Sequence, residues 1–180
     1  MNVFILDSDP ELAAVHLCDV HRRAALREYG QILSGALALR GEPWTGLPRW
    51  QGQRADGLPN RNRFHVWAAE EPGALRWLAM TWRWAHFLEG DTHPRAAASE
   101  WHANDIASRT ALSEPLVPAR FVLCERGRAL AGTAAPVPLS VAVSVYREII
   151  REKAAAWAEA GRRMTFGPMA QRPAWMGVAA

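Results

Sequence analysis

Asp9-Pro10-Glu11-Leu12-Ala13-Ala14-Val15-His16-Leu17-Cys18-Asp19-Val20-His21-Arg22-Arg23-Ala24-Ala25-Leu26-Arg27-Glu28-Tyr29-Gly30-Gln31-Ile32-Leu33, running on to Leu39-Arg40-Gly41, reads as one central helix over residues 10–40. Asp9 can cap the free amides of the first turn, Pro10 has the fixed φ that suits the first helical position, and Gly41 is the residue type that most easily ends a helix in a left-handed turn. Stepped at about 100° per residue, His16, Val20, Gln31, Arg27, Leu17, Glu28, His21 and Ile32 share one half of the cylinder, so titratable groups stand among apolar ones. Burying such groups unpaired costs several kcal/mol. Two readings stay open: His16 and Glu28 are hydrogen-bonded core residues, or they form the wall of a site.

The rest of the chain is read outward from this helix. Val3 to Leu6 is a short apolar run with no strand partner nearby, which predicts an extended arm packed on the core. Asp7-Ser8-Asp9 makes the turn into the helix. A second helix is expected from Pro72 to Gly90, with large apolar residues from Leu75 to Phe87 on more than one face, and a third from Pro94 to about Leu112. Prolines bracket an irregular stretch, 113–138, in which Phe121-Val122-Leu123-Cys124 is a candidate short strand. The last helix runs from Leu139 to Ala160 and stops at Gly161. Lys153 lies near its apolar stripe and is expected to snorkel rather than act as a nucleophile. The tail, 162–180, is expected to wrap the body. Together these predict a single all-α domain over residues 1–180, with about four helices and long loops.

At 180 residues the chain is long enough for one domain with a proper core. Its composition, 49% hydrophobic and 22% charged, is globular rather than disordered. No apolar run approaches the roughly 20 residues that span a bilayer, and the start lacks the pattern of a secretory leader, so no membrane partner and a cytoplasmic location are expected. Cys18 and Cys124 make neither a disulfide framework nor a zinc ligand set. No cofactor or metal is expected either, because His16 and His21 would lie about 140° apart on one helix, and an ion would need His65 or His93 from elsewhere.

The net charge is +3, and Lys153 is the only lysine among 21 basic residues. Arginine offers a planar fork suited to phosphate, so nucleic acid stays open as a partner. The loop 42–64 concentrates Arg49, Arg54, Arg61 and Arg63 with Trp44, Trp50 and Phe64 against only Glu42 and Asp56. Cationic forks and flat rings are what a phosphate backbone and an unstacked base use. The alternative is a solvated loop whose aromatic residues fold onto the core.

Glu11-Leu12-Ala13-x-x-His16-Leu17-x(4)-Arg22 resembles the opening of the phage endonuclease V or pyrimidine-dimer DNA glycosylase family, and Arg172-Pro173-Ala174-Trp175 resembles its closing segment. The chain is more similar to the uncharacterised phage and bacterial members of that family, through Leu6-Asp7-x-Asp9-Pro10, Cys18-Asp19-x-His21, Glu28-x-x-Gln31-Ile32-Leu33, His65-x-Trp67, Thr92-His93, Tyr146-Arg147 and Glu152-Lys153. The resemblance implies an all-helical enzyme on double-stranded DNA that flips a damaged or modified pyrimidine nucleotide out of the stack, attacks C1′ with its N-terminal α-amine, and cuts the strand through an imine. His16 and Arg22 stand where the glycosylase contacts the lesion. The family's catalytic Glu falls on Arg23, two of its DNA-binding arginines fall on Val3 and Leu26, and Asn2 replaces its nucleophilic Thr. Glu28 is the candidate replacement carboxylate. The expected centre is therefore Asn2, His16, His21 and Glu28, with Arg22, Arg23, Arg27, Gln31, Arg49, Arg54, Arg61 and Arg63 on nucleic acid. A noncatalytic DNA-binding accessory protein, or an enzyme acting on free nucleotides, are the alternative readings.

Overall fold

The structure is a computed structural model, and it describes residues 2–42, 61–90, 104–105, 108, 115–167 and 172–177. Six helices, α1 (Pro10–Val15), α2 (Asp19–Leu39), α3 (Arg63–Glu70), α4 (Ala74–Glu89), α5 (Glu125–Ala131) and α6 (Leu139–Glu159), account for most of it. The strands β1 (Arg120–Phe121) and β2 (Val137–Pro138) form one antiparallel pair, so the domain is all-α with a minimal sheet.

The predicted central helix is two helices. Asp9 caps α1 as expected, accepting from the Glu11 and Leu12 amides, with Pro10 in the first turn. The chain then leaves the helical path at His16 and extends at Cys18, with φ −67° and ψ 162°, before α2 begins. The break is stabilised from far along the chain: the Asp19 N–H donates to the Thr165 carbonyl at 2.9 Å, and the Asp19 carboxylate accepts from the Gly167 N–H at 2.7 Å. A distant segment thus satisfies the Asp19 N–H, which an unbroken helix would have paired internally, and donates back to the Asp19 side chain. One consequence is that His16 and His21 do not share a helix, and their angular relation on a single cylinder does not apply.

The second predicted helix, Pro72 to Gly90, appears as α4, and a further helix that was not predicted precedes it. Residues 63–70 form α3, capped by Asn62. Pro72 falls in the connecting turn rather than at a helix start, and Gly73, at φ 80°, precedes α4. Its left-handed backbone favours glycine, and the Pro115 carbonyl packs where a Cβ would stand. Gly90 ends α4 as expected. The predicted third helix, 94–112, lies almost wholly outside the described residues. The expected last helix appears as α6, ending before Gly161.

α4 packs on α1, α2 and α3, while α2 packs on α3. Gly35 in the middle of α2 is explained by this packing, because a Cβ there would come within 2.6 Å of the buried His65 ring on α3. Trp67, Trp77 and Trp82 are buried, and each indole N–H donates to a carbonyl, of Arg120, Ser8 and Leu26 respectively. These rings therefore have complete structural roles. The arm Val3 to Leu6 is buried and unpaired in any sheet, as its lack of a strand partner predicted. It lies between α2 and α6: the Tyr29 hydroxyl of α2 bonds the Phe4 backbone, and Arg147 of α6 donates to the Leu6 carbonyl. Among the described residues, no helix is long and apolar enough to cross a membrane.

Candidate active site

α2 brings two titratable groups, His21 and Glu28, to the side facing the arm. They are seven residues apart, so about 10 Å separates them along the helix. α6 answers with the same spacing. Tyr146 meets the arm near Glu28, and Lys153, also seven residues on, meets His21.

At the first position the Asn2 backbone N–H donates to Glu28 Oε2 at 2.6 Å. The Tyr146 hydroxyl donates to Asn2 Oδ1 at 3.3 Å and accepts from the Cys124 N–H at 3.1 Å. Tyr146 is buried, and burial holds its phenol well above the ordinary range, so it serves as a neutral hydrogen-bonding post. Glu28 is partly open, its side chain 20% exposed, with the Arg27 guanidinium 3.8 Å away. The contact puts the carboxylate within hydrogen-bond reach of the residue 2 nitrogen, which is the geometric requirement for proton transfer there once that nitrogen is an amine.

At the second position His21 is buried, stacked on Trp157 at 6.1 Å and tilted against Phe4 at 4.8 Å. Lys153 Nζ lies 2.9 Å from Nε2, and Cys18 Sγ lies 2.9 Å from Nδ1. An ammonium can only donate, so Nε2 is the acceptor and Nδ1 carries the proton, directed at sulfur. Burial, reinforced by the Lys153 charge, lowers the imidazole to about 4, which keeps it neutral at physiological pH. Burial likewise pushes the Cys18 thiol up, opposing thiolate formation.

The other predicted site residues scatter. His16 sits apart from His21, edge-on to Trp175, its Nδ1 4.0 Å from Asp7 and its pKa lowered mainly by burial. Arg22 is buried and bonded to Glu89, Asp19 and the Leu17 carbonyl, so its guanidinium has protein acceptors throughout. Arg23 is exposed and paired with the second oxygen of Glu89. Arg27 is exposed beside Glu28, and Gln31 is half-buried one turn further on. Arg61 is exposed near Glu70, whereas Arg63 donates to the Leu123 and Ala134 carbonyls. Phe64 is buried in the core rather than displayed with the arginines. Arg49, Arg54, Trp44 and Trp50 lie outside the described residues. His16, Asp19 and His21 each turn to different partners, and among the described residues no three ligand-type side chains cluster as a metal site would need.

Tyr146, Lys153, Trp157 and Cys18 join the site without having been predicted for it. For Tyr146 and Lys153 the signal was their seven-residue spacing, matched to that of His21 with Glu28. Compared with known proteins, the chain matches no family model, no curated protein and no solved structure.

Proposed function

We propose that the protein acts on DNA as a base-excision or base-modification enzyme, with its centre at the Asn2 nitrogen and the Glu28 carboxylate. The observation that carries this reading is the 2.6 Å contact between Asn2 N and Glu28 Oε2. In the full chain that nitrogen is an amide. When the preceding methionine is removed it becomes the chain's α-amine, on a position already bonded to a carboxylate. An α-amine titrates near 8, so a useful fraction is unprotonated at neutral pH.

The chemistry follows from that pair. Glu28 accepts a proton from the amine, and the freed lone pair attacks C1′ of a flipped nucleotide. The N–C1′ bond forms as the glycosidic bond breaks, the base leaves with the bonding pair, and the proton held by Glu28 passes to it. Opening of the sugar gives an imine. Loss of a C2′ proton then expels the 3′ phosphate and cuts the strand. Exposed Arg23 and Arg27 on the same helix supply positive charge for the backbone, and a damaged base costs less to flip than an intact paired one.

The test is borohydride trapping on duplex DNA carrying an abasic site or a pyrimidine lesion, using chain released from a cleavable fusion so that Asn2 is the first residue. A covalent adduct at the residue 2 amine is expected, absent in Glu28→Gln. Lys153→Arg removes the only other primary-amine position and should leave trapping intact. Salt-sensitive DNA binding without any adduct would instead identify a noncatalytic binder and overturn the enzymatic reading.

A further inference from the structure

α6 carries a second feature, on a face adjacent to the one that meets the arm. Between its later half and the tail lies a cavity of about 880 Å³, walled by Arg151, Arg162, Arg163 and Arg172. Its floor is small and apolar, from Ala154 and Ala158 with Met164 at one side. Among the described residues no carboxylate lines it. Arg151 alone of the four makes an acidic contact among the described residues, to Glu148 at 2.9 Å.

Four guanidinium groups around one concavity repel each other unless an anion joins them; Arg151 is paired with Glu148, whereas Arg162 and Arg172 are held by groups that do not cancel their charge. Arg151 Nε donates to the Trp175 carbonyl at 3.0 Å, and Arg172 Nε donates to the Gly177 carbonyl at 3.2 Å. Arg162 lies over the Trp157 ring at 4.7 Å. Arg163 has no hydrogen bond or ion pair among the described residues. Anchoring through Nε and ring faces orders the side chains in advance while leaving Nη donors of Arg172, and Nη2 of Arg151, without a protein acceptor among those residues. Ordering paid in the free protein is not charged again on binding.

We propose that this cavity binds the phosphate groups of a nucleotide or of a nucleic acid strand. Planar forks match phosphate oxygens in pairs. The volume falls within the range of small-ligand sites, and the alanine floor lets the uncharged part of a ligand approach the helix backbone closely. This site stands whether or not the Asn2–Glu28 pair is catalytic, since it rests on different residues and a different ligand contact.

The experiment measures equilibrium binding to the intact chain at several salt concentrations, with three probes: a 20-base-pair duplex, a nucleoside triphosphate and poly-glutamate. Arg162→Glu with Arg163→Glu is the test variant, and Arg120→Glu, which is exposed but does not line the cavity, is the control. At least a tenfold loss of affinity in the test variant but not the control is expected, with the slope of log K against log salt reduced by about two for the duplex. Loss for the duplex alone assigns a strand, and loss for the triphosphate assigns a free nucleotide as a ligand. Equal binding of poly-glutamate, equal effects of the control, or no binding of either phosphate probe overturns the proposal. Unchanged melting temperature and circular dichroism in the variant separate binding loss from unfolding.

Discussion

Arg22 and Glu28 stand six positions apart on α2, yet their surroundings differ in kind. Arg22 is only 3% exposed and is bonded to two carboxylates and a carbonyl, while Glu89 opposite it, 8% exposed, divides its oxygens between Arg22 and Arg23. Glu28 is partly open, holds one short bond from the arm, and has only a loose cation beside it. The first cluster closes its hydrogen-bonding capacity upon itself between α2 and α4. The second keeps a lone pair and a path to solvent. A helix can thus carry a closed ion cluster and a partly open carboxylate within two turns, and the completeness of partnering tells them apart.

The most severe way to disturb this contrast is Glu89→Ala. It leaves buried Arg22 without its main partner, and a loss of about 3 to 5 kcal/mol is expected in the denaturant-derived unfolding free energy. Little or no loss would mean the cluster is not what joins α2 to α4. Acid titration comes next. His21 has a folded pKa of about 4, below its unfolded value of roughly 6.5, so the unfolded chain binds more protons between those values. The stability His21 contributes is present above pH 6.5 and lost as pH falls toward 4, by roughly 3 kcal/mol in all. The remaining slope in His21→Asn should be owed to His16, whose pKa is also lowered by burial, and at its acid end to Glu89 and Asp19, in which burial is outweighed by hydrogen bonds, those of the arginines among them, that hold the carboxyls below their ordinary values. A slope unchanged by that substitution would remove His21 as its source.

Smaller effects sharpen the comparison. Tyr29→Phe keeps the ring but removes the hydroxyl that accepts from the Phe4 N–H, and a cost of about 1 to 2 kcal/mol is expected in thermal or denaturant melts. Glu28→Gln should change stability least, by under about 0.5 kcal/mol, because the amide oxygen can still accept from Asn2. The same variant is expected to lose the borohydride adduct altogether. A Glu28→Gln chain as destabilised as Glu89→Ala would place the two carboxylates in one structural class and erase the distinction.

Much of the fold was legible where the signal is local. The Asp9 and Pro10 cap, the glycines after α4 and α6, and the apolar period of α6 all concern residues within one or two turns of each other. The buried arm followed from its lack of a strand partner. The break at His16 to Cys18 was not legible, because Thr165 and Gly167 stabilise it from the other end of the chain. Pro72 fits a helix start equally well in sequence, and only the packing of Pro115 against Gly73 explains the turn there. Glu28 and Asn2 lie in contact. His16 was separated from them by the same break, and Arg22, assigned to the lesion by resemblance, is committed to Glu89. The cavity arginines come from α6, the segment after it and the tail, and no local pattern links them.

The arm also imposes an order in time. Asn2 reaches Glu28 across 26 residues but Tyr146 across 144, and His21 reaches Lys153 across 132. A ribosome therefore delivers the α2 partners of the arm long before the α6 partners. Until α6 emerges, Phe4 has lost the ring of Tyr146 and His21 has no lysine above it. Contacts this distant close late and slowly. Synthesis must pass α6 before Phe4 and His21 are covered, and a chain stalled before residue 139 leaves both without their α6 partners.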